Sequence, residues 1–268
     1  MHQYFHDKVI WITGASSGIG AALLHELSQY RTKIIISARR ENELRKMMEQ
    51  CKSSNAEIML LPFDLSKTNL IPEIAAQVIA KFGRIDILFN NGGISQRSLV
   101  ADTALEVDRK LMEINFFANV QLSKSVLPVM LHHNFGHLVV TSSLSGKFGF
   151  YERSAYAASK HALHGFYESL FLENRHNGIH ITLVCPGSIK TDIALSALNK
   201  DGLPAMAKDR RLEQGMDAAV CAKKILNAVA AQKKEVLIGK LEIIPAYLKR
   251  FLPALFWRLM YRLKPEQS

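Results

Sequence analysis

Apolar residues along the chain fall into two kinds of run, and the two alternate. The first kind is short and unbroken: Val9, Ile10, Trp11 and Ile12, then residues 33–37, 57–62, 85–89, 137–142, 179–184 and 236–238. Such runs are too short for helices and lack polar alternation, so they predict strands buried on both faces. The second kind is longer and helically spaced, as in Ile71, Ile74, Ala75, Val78 and Ile79 within residues 70–82. Helices are likewise predicted from Ala21 onward and over 41–51, 104–132, 154–177 and 216–231, with Gly178 as the C′ residue of the 154–177 helix. Strands alternating with helices in this way predict a doubly wound parallel sheet in three layers. The alternation lapses over residues 193–215, which are expected to cover a site as a mobile lid. No internal repeat or linker is visible. One α/β domain is expected over residues 1–240, followed by an extension over 241–268.

Composition narrows the function class. A content of 48% hydrophobic and 22% charged residues fits a globular protein. Cys51, Cys185 and Cys221 are odd in number and far apart, which disfavours a disulfide framework or zinc site and points to a reducing, cytoplasmic setting. The N-terminal residues lack the apolar core of a signal peptide, and no run is long enough to span a bilayer. The net charge of +10 favours a polyanionic partner. No helix-turn-helix or zinc-finger pattern accompanies it, so nucleic acid is not the expected partner. His132, His133 and His137, and separately His161 and His164, lack the spacing of a metal site, and no metal is expected.

Ligands of such sheets bind beyond the C-terminal strand ends. After the first strand, Gly14, Ser16, Ser17, Gly18, Ile19 and Gly20 form a glycine turn before a helix, a place where unpaired N–H groups meet a pyrophosphate. The alternative is a glycine turn with no ligand. The second strand ends at Arg39 and Arg40, whose guanidinium groups suit a 2′-phosphate and favour NADP(H); the alternative is a solvated helix start. At the third, Asp64 precedes Leu65 and can accept from an adenine amine or cap a turn. At the fourth, Asn90 and Asn91 can brace loops while Gly92 and Gly93 admit a cofactor.

Tyr156 and Lys160 are four apart, hence on one helical face. A nearby ammonium favours a phenolate, so Lys160 is expected to lower the pKa of Tyr156 and make it a usable acid/base. Ser142 and Ser143 end the fifth strand at the same sheet edge.

Together these residues, with Asn115, Pro186, Gly187 and Thr191, resemble the short-chain dehydrogenase/reductase family, from about Lys8 to Thr191. The resemblance implies a Rossmann-type fold and a catalytic tetrad. Tyr156 would protonate a carbonyl oxygen, Ser143 would orient it, and Lys160 would bind the nicotinamide ribose. Asn115 would hold a relay water by distorting its helix. Pro186, Gly187, Ile189 and Thr191 would close over the nicotinamide. The family usually has alanine where this chain has Gly92. A homodimer or homotetramer through helices 104–132 and 154–177 is also implied. The expected reaction is NADP(H)-dependent interconversion of a carbonyl and an alcohol; a second reading is a non-catalytic NADP(H)-binding sensor or scaffold at a membrane.

In the tail, Leu248, Leu252, Leu255, Phe256, Leu259 and Leu263 predict one apolar helical stripe, with Arg250, Arg258, Arg262 and Lys264 largely off it. Pro253 either kinks this helix or starts a second one. With Tyr247, Trp257 and Tyr261 interleaved, the tail suits a membrane interface, or packing on the protein's own substrate end or a partner subunit. Leu144, Phe148, Phe150 and Tyr151 are expected either to line a pocket for a lipophilic ketone or aldehyde or to be ordinary loop packing, with Met206 on the lid.

Overall fold

Every strand expected from the apolar runs is present in the computed structural model, which describes residues 2–52, 54–206 and 209–262. They are β1 (Val9–Thr13), β2 (Lys33–Ser37), β3 (Glu57–Leu60), β4 (Ile87–Asn90), β5 (Gly136–Thr141), β6 (Ile179–Pro186) and β7 (Glu235–Ile238). Among the described residues they form one parallel sheet in the order β3-β2-β1-β4-β5-β6-β7. The chain winds outward from β1 to β3 and then returns to the other side of β1. A crevice therefore opens beyond the C-terminal ends of β1 and β4.

Strand alternation divides the core. Ile10, Ile12, Ile34 and Ile36 face α1 (Gly18–Leu27), α2 (Glu41–Gln50) and α7 (Ala218–Ala230), where Leu24, Leu44 and Ile225 are buried. Trp11, Ile35, Leu88 and Val140 face the other way, onto α3 (Ile71–Phe82), α5 (Ala118–His132) and α6 (Ser154–Asn174). Burial on both faces explains why these strands read as unbroken apolar runs. The indole of Trp11 keeps a partner inside, donating to Ser37 Oγ at 2.9 Å. Helix α4 (Leu105–Met112) enters α5 through a π-helical turn, Glu113–Phe117, which contains Asn115.

Two expectations need correction. Helix α6 stops at Asn174, and Gly178 is not its C′ residue. Gly178 (φ +70°) instead lies in the turn into β6, where a Cβ would stand 2.0 Å from the carbonyl oxygen of Asn134. The tail does not form one stripe either. The residue before a proline is pushed out of helical geometry, and Leu252 (φ −136°, ψ 62°) separates α8 (Ile244–Phe251) from α9 (Pro253–Met260), which begins at Pro253. The break re-phases the pattern. Phe256 is buried with Leu144 and Phe148, and Leu248 packs beside them, but Leu252, Leu255 and Leu259 face solvent. Leu263 and Lys264 lie outside the described residues.

Candidate active site

A cleft of about 770 Å³ runs along the crevice, and its two ends differ in chemistry. At one end Gly14, Ser16, Ser17, Gly18 and Ile19 line it where α1 begins. Ser17 makes no side-chain cap there and the first turn carries no acid, so the helix start offers free N–H groups to an anion. Gly14 (φ +66°) and Gly18 (φ +55°) hold conformations that other residues adopt at a cost. Gly20 does not line the cleft: a Cβ there would sit 2.2 Å from the carbonyl oxygen of Gly14, so its part is close packing of α1 against the turn. Arg39 and Arg40 border this end, and Arg40 Nη2 reaches Ser16 Oγ (3.3 Å) and Ser17 Oγ (3.4 Å).

Asp64 and Leu65 also line the cleft. Asp64 Oδ1 accepts from Ser66 N at 2.9 Å, so the carboxylate caps its own turn whatever else it binds. A Cβ on Gly92 would meet Leu65 Cδ1 at 2.5 Å. Leu65 thus occupies the space an alanine would need. The two asparagines diverge. Asn91 Nδ2 donates to Thr13 O (3.1 Å), and Thr13 Oγ1 accepts from both Asn91 N and Gly92 N, which locks the ends of β1 and β4 together. Asn90 points into the core, to Ser123 Oγ (2.9 Å) and Tyr167 OH (3.0 Å).

The other end gathers Ser143, Tyr156 and Lys160; Pro186, Gly187 and Ile189 also line the cleft, and Thr191 reaches back to the glycine turn, where a Cβ on Gly18 would meet its Cγ2 at 2.9 Å. Ser143 is the serine hydrogen-bonded to Tyr156; the hydroxyl of Ser142 is committed to the carbonyl of Lys160, to which it donates at 3.1 Å. Lys160 is buried and donates to Thr141 O at 2.7 Å, with Nζ 5.8 Å from the centre of the Tyr156 ring. Asn115 lies behind the cleft, fully buried. Its Oδ1 accepts from Ile94 N (2.8 Å), its Nδ2 donates to Ser159 Oγ (3.1 Å), and its carbonyl accepts from Asn119 Nδ2 (2.5 Å). It braces the loop after β4 against the helix of Tyr156.

The electrostatics differ from expectation. Burial raises the pKa of Tyr156, and the groups opposing that rise are the Ser143 hydroxyl and the Arg153 guanidinium rather than Lys160. Lys160 is itself depressed to about 8, because burial penalises its charge. The ammonium is aimed at a carbonyl, so it offers the ring less help than helical spacing alone implies.

Leu144 and Phe150 line the cleft, but Phe148 is buried behind Phe150, stacked at 4.7 Å, and Tyr151 is exposed. Met206, in the segment after β6, lines the cleft. Sequence reasoning missed three residues here. Arg153 joins Asp209 at 2.9 Å, Glu242 of the tail lines the cleft beside Gly187, and Gln96 supports the helix of Tyr156. None belongs to a local pattern. Among the described residues one group, His164, Glu168 and Glu235, has metal-ligand spacing, but the Lys147 ammonium is paired with Glu235 and lies 3.3 Å from His164 Nδ1. The three cysteines are buried and free.

Residues 8–202 match the short chain dehydrogenase family. A Drosophila melanogaster protein, "Dehydrogenase/reductase SDR family protein 7-like", is 37% identical over 258 residues, 94% of this chain and 79% of that one. A short-chain dehydrogenase structure from Streptomyces avermitilis is 30% identical, covers 95% of this chain and 96% of its own, and superposes with a TM-score of 0.79. A metagenomic short-chain oxidoreductase solved in complex with NADP is 26% identical, covering 87% of this chain and 98% of its own, with a TM-score of 0.73.

Proposed function

The chain belongs to the short-chain dehydrogenase family of oxidoreductases, and from that premise we propose that it interconverts a carbonyl and an alcohol with NADP(H), on a lipophilic ketone or aldehyde. The observation that carries this reading is that one cleft joins an anion-accepting glycine turn flanked by Arg39 and Arg40 to Ser143, Tyr156 and Lys160. The two arginines favour the 2′-phosphorylated cofactor, and the metagenomic relative's complex with NADP accords with it.

The positive-φ glycines and the uncapped start of α1 fit a dinucleotide diphosphate. Gly14, Ser16, Ser17, Gly18 and Ile19 would hold it, with Asp64 and Leu65 toward the adenine, Asn91 and Gly92 along the middle, and Pro186, Gly187, Ile189 and Thr191 at the nicotinamide. When bound, the nicotinamide supplies or accepts the hydride. The protein supplies placement and the proton. Ser143 holds the substrate oxygen, and Tyr156, kept protonated by its raised pKa, gives it a proton during reduction. Lys160 anchors the ribose hydroxyls. In the oxidative direction Tyr156 must first lose its proton, so that direction accelerates as pH rises.

Leu144 and Phe150 make the substrate end apolar. No helix among the described residues is long and apolar enough to cross a membrane. The exposed Phe251, Leu252, Leu255, Trp257 and Leu259, with Arg250, Arg258 and Arg262 among them, fit peripheral contact with an anionic bilayer from the cytoplasm. Exposed Phe117 and Leu172 suit a homo-oligomer built on the long helices. The deciding experiment follows NADPH absorbance against a panel of lipophilic ketones and aldehydes. Tyr156→Phe should lower turnover by about 10²–10⁴-fold while NADPH binding persists; unchanged turnover refutes the catalytic assignment.

A further inference from the structure

Gln96 is fully buried, and its side chain ends against the first turn of α6. Its Oε1 accepts from the backbone N–H groups of Ala155 (2.9 Å) and Tyr156 (3.3 Å). A backbone N–H can only donate, so the atom facing α6 is the amide oxygen. The amide nitrogen then faces the hydroxyls of Ser98, Thr103 and Ser154 at 3.2, 3.3 and 3.4 Å.

The opening N–H groups of a helix have no partner within it, and an N-cap side chain usually accepts from them. Here the N-cap residue is Arg153, which makes no side-chain cap and has no acceptor to offer. The cap comes instead from a loop 59 positions earlier in the chain. That loop is also tied to the lid: Gln96 bridges Leu198, Leu198 N donates to Ser95 O (2.8 Å) and Arg97 N donates to Leu198 O (2.8 Å). Arg153 fastens the same corner, donating to Ser95 Oγ (2.6 Å) and to Asp209 Oδ2 (2.9 Å).

We propose that Gln96 is a positioning residue for the reaction: it caps, from outside, the helical turn that carries Tyr156 and ties that turn to the segment bearing the lid. This rests on the assignment of Tyr156 as the proton donor. Tyr156 is the third residue of α6, so fraying of the first turn displaces the phenol directly from the substrate oxygen. The glycine turn, Arg39 and Arg40, at the starts and ends of β1, α1 and β2, share none of these bonds, and Lys160 lies a turn beyond the capped residues.

Two substitutions test it in the full-length protein. Gln96→Met keeps the length and removes the acceptor; Gln96→Glu keeps an acceptor and adds a negative charge. For Gln96→Met, the N–H groups of Ala155 and Tyr156 should exchange with solvent at least about tenfold faster and kcat should fall about tenfold, the rate equivalent of one lost buried hydrogen bond. The NADPH dissociation constant should not change. For Gln96→Glu, slow exchange should return, while the midpoint of the pH–rate profile rises because an added carboxylate disfavours the phenolate. Wild-type exchange and kcat in Gln96→Met would overturn the proposal, as would fast exchange in a folded Gln96→Glu. The exchange measurement does not depend on chemistry. Fast exchange in Gln96→Met alongside full turnover by Tyr156→Phe would leave the cap standing and remove the role assigned to Tyr156, and with it the catalytic consequence.

Discussion

Acid should destabilise this protein well before its carboxylates titrate, because two buried histidines are wired as neutral donors. His137 is fully buried; Tyr4 OH lies 2.7 Å from its Nδ1 and Thr182 Oγ1 lies 2.8 Å from its Nε2. Thr182 spends its proton on the carbonyl of Lys233 (2.6 Å), so it must accept from Nε2–H, and Nδ1 must accept from Tyr4. His164 repeats the arrangement. Lys147 Nζ donates to Nδ1 (3.3 Å), and Nε2 faces Ser142 Oγ (3.0 Å), whose proton goes to the carbonyl of Lys160. Glu235 lies near His164 Nδ1, but Lys147 already neutralises it. Burial first, and then His180 beside His137 and Lys147, His161 and Lys160 beside His164, holds each imidazole down at about 3, against an ordinary value of 6.5.

The sign follows from proton counting. About a unit above pH 6.5 both the folded and unfolded states are neutral at these sites and nothing is gained or lost. As pH falls below that, the unfolded chain takes up protons that the native state refuses until about pH 3, so stability declines across that window. Between pH 7.5 and pH 5 each histidine costs about 2 kcal/mol, and the pair about 4 kcal/mol, out of a typical total of about 5–15 kcal/mol. Urea unfolding followed by circular dichroism at about pH 7.5 and about pH 5 measures the loss. In His164→Gln, whose amide offers similar donor and acceptor groups without titrating, the loss should shrink to about 2 kcal/mol. Equal stability at the two pH values, or NMR titration midpoints near the ordinary value for both rings, would refute the reasoning.

Three further outcomes are expected. Phe256→Ala removes a buried ring that packs on Phe148 at 5.5 Å; it should cost about 3 kcal/mol and raise substrate KM through the Phe148–Phe150 wall, which unfolding curves and steady-state kinetics will show. Gly178→Ala should destabilise by more than Gly83→Ala, since both have positive φ but only Gly178 faces a carbonyl oxygen at 2.0 Å; equal melting temperatures would deny the clash. Replacing Arg39 and Arg40 with alanine should weaken NADPH binding by about tenfold per lost phosphate pairing and leave NADH binding unchanged, as read by fluorescence titration.

Motifs at strand ends were legible because the topology brings strand ends together once the sheet order is known. The glycine turn, Arg39, Arg40, Asp64, Asn91, Ser143, Tyr156, Lys160 and the Pro186–Thr191 segment all border one cleft. The electrostatics were not legible. Helical spacing placed Lys160 near Tyr156 but said nothing of Thr141 O, which claims the ammonium, or of the burial that raises the phenol. Gln96 and Arg153 were likewise invisible, because their partners lie far along the chain: the first turn of α6 for Gln96, and Asp209 for Arg153.

What the sequence determined by itself was the period of each element, and hence a parallel sheet with both faces covered, since one strand's apolar run or one helix's spacing records which sides lose water. The π-turn carbonyl of Asn115 held by Asn119, the split of the tail into a packed and an exposed side, and the cap that Gln96 lends to α6 were decided only in the folded molecule. Those depend on which atoms from distant parts of the chain come within about 3 Å, a distance that local periodicity does not encode.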